Sequence, residues 1–347
     1  ELDCEKIIGD IDLKIESIHF YSNEVVKSSL FVASKGVKFD GHDYIVDAIS
    51  RGASVVVCED LPLNIISNIT YIKVPKSSHA LGLIASNFFN NPSKKIKLVG
   101  VTGTNGKTST VYYLASLFNY LPAQVGMIST IENQIAEHRF PSTHTTPDAI
   151  TINQLLSDMV DARCEYCFME VSSHAIAQNR ISGLDFSIAV FTNISRDHLD
   201  YHGTFENYLD TKKSFFDQLS PHATALINKD DKYNEHISRD MSAKFQEYGL
   251  QYSNWYYAKN IKSTINGLSL ELEVPLHYNL PNHEKDDLID KYYIKIKTSL
   301  VGDFNAYNLL AAYSVACELG IEKSHIQRGL SCIQQVPGRF NVLKAKD

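Results

Sequence analysis

The sequence predicts an α/β protein of two successive domains, and three observations carry that reading. Short apolar runs alternate with helical stretches along most of the 347 residues, the pattern of sheets with helices packed on them. A Gly-rich turn around Gly103 and Gly106 joins one such run directly to a helical stretch. A polar, Pro-containing segment, Asn90-Asn91-Pro92-Ser93-Lys94-Lys95, separates a small α/β domain (residues 1–90) from a larger, doubly wound one (residues 91–336).

In the first domain, Ser29-Leu30-Phe31-Val32-Ala33 and Ser54-Val55-Val56-Val57-Cys58 read as buried strands, since each is a continuous apolar and β-branched run. Between them Tyr44, Ile45, Ala48 and Ile49 recur at helical spacing, and a third strand is expected from Ile69 to Val74. Beyond the linker the expected strands are Leu98 to Thr102, Tyr166 to Val171, Phe186 to Thr192 and Thr224 to Ile227. Strands alternating with helices imply a sheet parallel at its centre, with functional residues at the strand C-termini. More β structure is expected at Glu247-Tyr248-Gly249 and from Leu268 to Val274, then a polar loop from Leu276 to Lys291 and an apolar helix from Leu309 to Leu319.

The strand from Leu98 runs into Thr102-Gly103-Thr104-Asn105-Gly106-Lys107-Thr108-Ser109, after which Val111, Leu114, Leu117 and Phe118 recur at helical spacing. Glycines in such a turn let backbone N–H groups face inward and cradle phosphate oxygens at a helix N-terminus. Lys107 would reach the β/γ-phosphates and Thr108 would place a hydroxyl on Mg²⁺, so the expected ligand is a nucleoside triphosphate. The spacing departs from the usual phosphate loop: its first glycine belongs at position 101, where this chain has Val101. The other reading, a Gly-containing turn with an incidental lysine, is disfavoured because the flanking strand and helix both fit and Thr-Gly-Thr-Asn-Gly-Lys-Thr is much richer than a lone Gly-Lys-Thr.

Other motifs sit at the strand ends. Thr145-Thr146-Pro147-Asp148 precedes a helix, where threonine hydroxyls ordinarily cap. Glu170-Val171-Ser172-Ser173-His174 closes the second strand, and an acidic residue emerging beside a phosphate loop is the usual holder of Mg²⁺. His174 reads either as a base or as a helix-start histidine bonded to backbone. Arg180 offers a fork suited to a carboxylate, or is simply a surface arginine. The third strand runs into Asn193-Ile194-Ser195-Arg196-Asp197-His198-Leu199-Asp200-Tyr201-His202, and so dense a set of carboxylates and histidines after a buried strand is costly without ligands or partners. Asn305 and Asn308 open the last apolar helix, where asparagine caps. Lys212 and Lys213 look like one solvated helix face.

The formal charge of −7 gives no support to nucleic-acid binding, and no apolar run approaches the ~18 residues of a membrane span. The start, Glu1-Leu2-Asp3-Cys4, has no signal-peptide character, which reads as cytoplasmic. Six cysteines in so long a chain are too few for a disulfide scaffold, and the Cys164-x-x-Cys167 pair, with no second pair to complete a zinc site, reads as buried thiols.

The phosphate-loop variant, Glu170-Val171-Ser172-Ser173-His174, Asp197-His198-Leu199-Asp200-Tyr201-His202-Gly203-Thr204 and Ile227-Asn228-Lys229-Asp230-Asp231 together resemble the Mur ligases, ATP-dependent enzymes that add amino acids to the cell-wall precursor UDP-MurNAc. The block Tyr21-Ser22-Asn23-Glu24-Val25, Ser29 to Ala33 and Phe39-Asp40-Gly41-His42 resembles the UDP-binding domain of the MurE branch, with Tyr21 and Asn23 where Asp and Arg are usual. That resemblance implies a ligation of a diamino acid, meso-diaminopimelate or L-lysine, to UDP-MurNAc-L-Ala-D-Glu through an acyl phosphate. It implies ATP held by Gly103, Thr104, Asn105, Gly106, Lys107, Thr108 and Ser109, with Asn305 and Asn308 near adenine. It implies two Mg²⁺ ions served by Thr108, Glu170, His198 and a carbamylated Lys212, with Lys107, Lys212 and His198 as catalytic groups and Lys213 as the solvated neighbour. Ser22 matches the serine that contacts uridine, and Thr145, Thr146, Ser172, Gln178 and Arg180 match positions that hold UDP-MurNAc-dipeptide, beside a His144 where asparagine is frequent. Pro337-Gly338-Arg339-Phe340 matches the motif that leads to a third, Rossmann-like domain, so residues 337–347 read as the start of a linker to a domain this sequence lacks. A monomer is the family default. Two other readings stay open: a folylpolyglutamate or polyglutamate synthetase, whose first domain would not bind UDP, and a non-catalytic nucleotide-binding module.

Overall fold

The computed structural model describes residues 3–36, 39–251, 255–275 and 291–338. Two compact units form: residues up to 95 together with 147–157 and 177–184, and residues 96–146, 158–176 and 185 onward.

The first unit runs β1 (Lys6–Ile8), β2 (Ser17–His19), β3 (Ser29–Val32), α1 (Ile45–Arg51), β4 (Ala53–Cys58), β5 (Thr70–Lys73) and α2 (Ser77–Phe88). They make one sheet, ordered β1-β5-β4-β3-β2, parallel except where β1 meets β5. Both of its faces are buried. Leu30, Val32, Val55 and Val57 pack with Leu81 and Ala85 of α2, whereas Phe31, Val56 and Cys58 pack with Ile45 and Ala48 of α1. Burial on both sides is why these strands read as unbroken apolar runs. Tyr44, expected inside the helix, lies in the 3₁₀ turn before it and is exposed.

Ala149 and Ile150 join the α2 side of this core. Asn179 bonds Ser78 at 3.0 Å and Ser86 bonds the Gly183 carbonyl at 3.0 Å. Those contacts place the two excursions in the first unit. The segment expected to be a polar linker is also structured: Pro92–Lys94 is a 3₁₀ turn with Pro92 and Ser93 buried.

The second unit begins with β6 (Lys97–Thr102), α3 (Lys107–Phe118), β7 (Gln124–Ile128), β8 (Glu132–Ile135) and β9 (His138–Pro141), and α4 (Ala149–Asp161) leads back into it. It continues through β10 (Cys164–Glu170), α5 (Ser173–Ala177), β11 (Ile188–Phe191), α6 (Leu199–His202), α7 (Phe205–Asp217), β12 (Thr224–Asn228) and α8 (Asn234–Ser238). Then follow β13 (Lys244–Gly249), β14 (Tyr256–Thr264), β15 (Gly267–Pro275), β16 (Lys291–Thr298), α9 (Phe304–Glu318) and α10 (Lys323–Ser331). The sheet order is β16-β15-β14-β13-β12-β11-β6-β10-β7-β8-β9. Its centre, from β14 to β7, is parallel, and antiparallel strands extend both edges. The expected loop from Leu276 lies, up to residue 290, outside the described residues, as does Arg339-Phe340.

This order sets the site. β6 lies between β10 and β11, with Val101 beside Glu170 and Thr102 beside Phe191. From β6 the chain crosses to β7 on one side, and later to β11 and β12 on the other. That is a topological switch point, where open α/β sheets leave a crevice at the strand C-termini.

Candidate functional site

The turn after β6 needs its glycines. Gly103 has φ +150°, and a Cβ there would lie 1.9 Å from the Thr192 hydroxyl; Gly106, with φ +88°, caps α3. Lys107 folds back over the loop, its ammonium 2.9 Å from the carbonyls of both Gly103 and Thr104.

Thr108, in the first turn of α3, donates its hydroxyl to Oε2 of Glu170 at 2.9 Å. Glu170 ends β10 fully buried, and its Oε1 accepts the Thr130 N–H at 2.6 Å. Among the described residues no lysine or arginine pairs with this carboxylate. With the Thr108 hydroxyl this buried carboxyl group forms an all-oxygen pair of the kind Mg²⁺ takes. Thr145 accepts from the Thr130 hydroxyl at 3.1 Å. Thr146 donates to the Glu170 carbonyl at 2.7 Å and accepts from the Ser172 N–H at 3.1 Å. Neither threonine caps the following helix, as the sequence suggested; Asp148 does, accepting the Thr151 N–H at 3.0 Å.

Lys212 is not part of a solvated face. It is 1% exposed, its nitrogen donates to the Gly103 carbonyl at 3.0 Å, and it sits 4.8 Å from the Tyr208 ring centroid. Burial, and then the charge of Lys107, hold its pKa well below the ordinary lysine value, against an upward pull from Asp197. Lys213 is paired with Asp217 and its side chain is 18% exposed. Tyr208 bonds the Thr104 hydroxyl at 3.1 Å, which ties α7 to the loop. His198 has φ +52° and lies 3.5 Å from the Asp197 carboxylate. Its ring is 4.9 Å from that of His174, which packs against Tyr201 as well. His202 bonds the Ser173 hydroxyl at 3.0 Å; burial, with the nearby His174, Lys212 and His198, lowers its pKa.

A cavity of about 800 Å³ opens over the strand ends. Thr104 to Ser109, Thr145, Glu170 and Asn308 line it, among the residues expected from the sequence. Asn305 does not; it is buried beneath, accepting from the Tyr113 hydroxyl at 2.8 Å and donating to Val301 at 2.9 Å. Neither asparagine caps α9, which starts earlier, after Asp303. Thr130, Thr192, Tyr248, Phe304 and Tyr307 also line the cavity, and nothing in their residue types announced it. Asp230 was signalled only by its place in Asn228-Lys229-Asp230-Asp231. Its Oδ2 accepts from Leu250 N–H at 2.6 Å, Gln251 N–H at 3.0 Å and the Tyr307 hydroxyl at 3.0 Å. Burial, then Asp230, push the Tyr307 hydroxyl up to about 12.

Ser22, Gln178 and Arg180 belong to the first unit. Ser22 begins a 3₁₀ turn and bonds Asp47, whose carboxyl that bond, together with Arg51, keeps below its usual range. One oxygen of Gln178 accepts from Arg180 Nε at 3.0 Å and from Nη2 at 2.7 Å.

Two family matches cover most of the chain: the Mur ligase family catalytic domain over residues 14–89 and the Mur ligase middle domain over residues 101–316. A protein of Cytophaga hutchinsonii named UDP-N-acetylmuramoyl-L-alanyl-D-glutamate–2,6-diaminopimelate ligase is 46% identical over 96% of this chain and 65% of its own length. A Bacteroides fragilis protein of the same name is 41% identical over 98% of this chain and 66% of its own. The chain thus spans about 65% of the length of these curated relatives. Among solved structures, one of a ligase with that name superposes with TM-score 0.79 at 24% identity, covering 97% of this chain and 67% of the other. MurF ligase from Thermotoga maritima in complex with ADP superposes with TM-score 0.62 at 23% identity, covering 97% and 70%. These two likenesses establish the fold. Among the described residues no helix is long and apolar enough to cross a membrane.

Proposed function

This chain belongs to the Mur ligase family, and on that premise we propose that it carries the acceptor-binding and ATP-binding parts of a ligase joining a diamino acid to UDP-MurNAc-L-Ala-D-Glu. The observation that carries the proposal is the hydrogen bond from Thr108 to the buried Glu170, which joins the phosphate loop to the neighbouring strand end over one cavity. The relatives named as 2,6-diaminopimelate ligases favour that diamino acid over L-lysine.

In this reading Lys107 leaves the Gly103 and Thr104 carbonyls for the triphosphate, Thr108 and Glu170 would hold one Mg²⁺, and His198 would help hold a second. When bound, the metal would neutralise phosphate charge. The D-Glu carboxylate attacks the γ-phosphorus, ADP departs, and the amine displaces phosphate from the resulting acyl phosphate. Positioning and charge neutralisation supply most of the rate. Lys212, a buried amine depressed towards its neutral form, is suited to add CO₂ and become a carbamate, whose oxygens would orient the metal or phosphate. Asn305 supports Asn308 beneath the nucleotide. Ser22, Gln178 and Arg180, with Thr145, Thr146 and Ser172, serve the UDP-MurNAc-dipeptide, so residues 1–90 act as its binding domain and 91–336 as the ATP-binding domain. The ligase acts in the cytoplasm as a monomer.

The test is calorimetric titration of this chain with UDP-MurNAc-L-Ala-D-Glu, with and without Mg²⁺ and a non-hydrolysable ATP analogue, against a Ser22→Ala, Arg180→Ala double variant. Binding that the double variant abolishes supports the acceptor. Nucleotide binding without dipeptide binding would overturn the cell-wall assignment. A carbonyl signal from ¹³C-bicarbonate, present in the wild type and lost in Lys212→Met, tests the carbamate.

A further inference from the structure

We infer that Asn193 is a positioning residue that holds the phosphate loop in its ligand-ready shape by pairing with both backbone groups of Asn105; the inference rests on the nucleotide-binding reading above. Asn193 follows β11 directly. Its Oδ1 accepts the Asn105 N–H at 3.0 Å, its Nδ2 donates to the Asn105 carbonyl at 3.0 Å, and its own carbonyl accepts the Thr104 N–H at 2.8 Å. The Thr192 hydroxyl adds a second donor to the Asn105 carbonyl at 2.6 Å. A primary amide bonded in this way to the N–H and the C=O of one residue closes a ring across its Cα, and so restrains the φ and ψ of Asn105 and the orientation of the peptide groups on either side.

The consequence concerns which amides meet the ligand. A phosphate loop works by turning N–H groups inward, yet here those of Thr104 and Asn105 are turned toward β11. Phosphate contact then falls to Gly106 and the start of α3. Without the side-chain clamp the Asn105 N–H loses its acceptor and its carbonyl keeps only the Thr192 hydroxyl, so the backbone of Asn105 is less restrained and Gly106, whose φ of +88° adjoins it, is held less firmly at its entry into α3. Asn193 lines the cavity and is only half-buried, so its truncation removes the clamp without opening a hole in the core.

The experiment titrates ADP, AMP and adenosine into the 347-residue chain with Mg²⁺, in wild type, Asn193→Ala and Asn193→Asp. Losing a preorganising pair of hydrogen bonds is expected to weaken ADP roughly 10- to 100-fold in Asn193→Ala, AMP less, and adenosine by under about twofold. Asn193→Asp keeps the acceptor but turns an anion toward the Asn105 carbonyl and the phosphates, and is expected to weaken ADP at least as much. Amide hydrogen exchange of the ligand-free protein supplies a second readout: the Asn105 N–H should exchange at least about tenfold faster in Asn193→Ala, with β12 protection unchanged. Unchanged ADP affinity, unchanged Asn105 exchange, or an equal loss for adenosine would overturn the inference. Wild-type protein that binds no ADP at all would overturn the nucleotide reading and this inference with it.

Discussion

Lys107 and Lys212 donate to the same acceptor: their side-chain nitrogens lie 2.9 and 3.0 Å from the carbonyl oxygen of Gly103. Two ammonium ions on one carbonyl repel, and only one of the two amines is fully enclosed. Lys212 therefore carries the consequence, its pKa lowered first by burial and then by Lys107. A lysine depressed on folding binds fewer protons folded than unfolded, so its contribution to stability rises with pH between its folded value and the unfolded 10.5. Below the folded value the full cost of a buried charge is present.

Wild type should therefore gain on Lys212→Met as pH rises. Urea midpoints of the two proteins, compared from about pH 6 to about pH 9 in carbonate-free buffer, would show the wild-type curve climbing relative to the variant. Parallel curves would mean that Lys212 stays protonated, and would remove the basis for its adding CO₂.

Glu170 separates a charge effect from a packing effect. Glu170→Ala leaves the half-buried Thr130 N–H without its acceptor and opens a hole, and is expected to cost about 2–4 kcal/mol. Glu170→Gln keeps one acceptor for Thr130, and the Thr108 hydroxyl can turn to accept from the new amide, so its cost should be about 1 kcal/mol. Both variants should lose the Mg²⁺-dependent part of ADP affinity. Retention of that increment in Glu170→Gln would show that the carboxylate does not serve the metal.

What the sequence disclosed tracks how each element is buried. Leu30 to Val32 and Leu98 to Val101 are enclosed on both sides and stand out as apolar runs, whereas β1 and β2 are three residues each, too short for a period. β8 conceals itself because Asn133 and Gln134 are its buried residues, the reverse of the usual code. At the site, Lys107, Thr108 and Glu170 could be singled out because residues of those types at strand ends suit phosphate and metal chemistry, and the structure gathers all three around one cavity. Thr130, Tyr208 and Asn193 act through backbone groups, a ring face and a loop clamp, which common residues supply without any spacing rule. Asn305 and Asn308 suggested caps because asparagine at a helix start ordinarily caps, but α9 begins at Phe304, which turns both inward.

The thiols give a check on the core that needs no ligand. Cys58, Cys164, Cys167 and Cys317 are buried, while Cys4 and Cys332 are exposed. Burial raises all four enclosed thiols, Cys58 to about 11 and Cys317 to about 12, which removes the reactive thiolate at neutral pH. A disulfide-exchange reagent should modify the two exposed cysteines quickly and the other four only on unfolding. Rapid reaction at Cys164 or Cys167 would contradict their placement in β10.

Gly106 and Asn308 offer a sharper test of the loop geometry. A Cβ on Gly106 would lie 2.6 Å from Asn308 Oδ1, at a φ of +88°. Gly106→Ala should therefore cost about 2–3 kcal/mol, part from the left-handed backbone and part from displacing a buried amide that bonds Asn305 at 3.2 Å. Truncating Asn308 removes the second part but not the first. The double variant Gly106→Ala, Asn308→Ala should then be about 1 kcal/mol more stable than the sum of the single costs allows. Strict additivity would mean that the loop, and not Asn308, yields to the methyl group. The turn would then be softer than its hydrogen bonds to Thr192 and Asn193 imply.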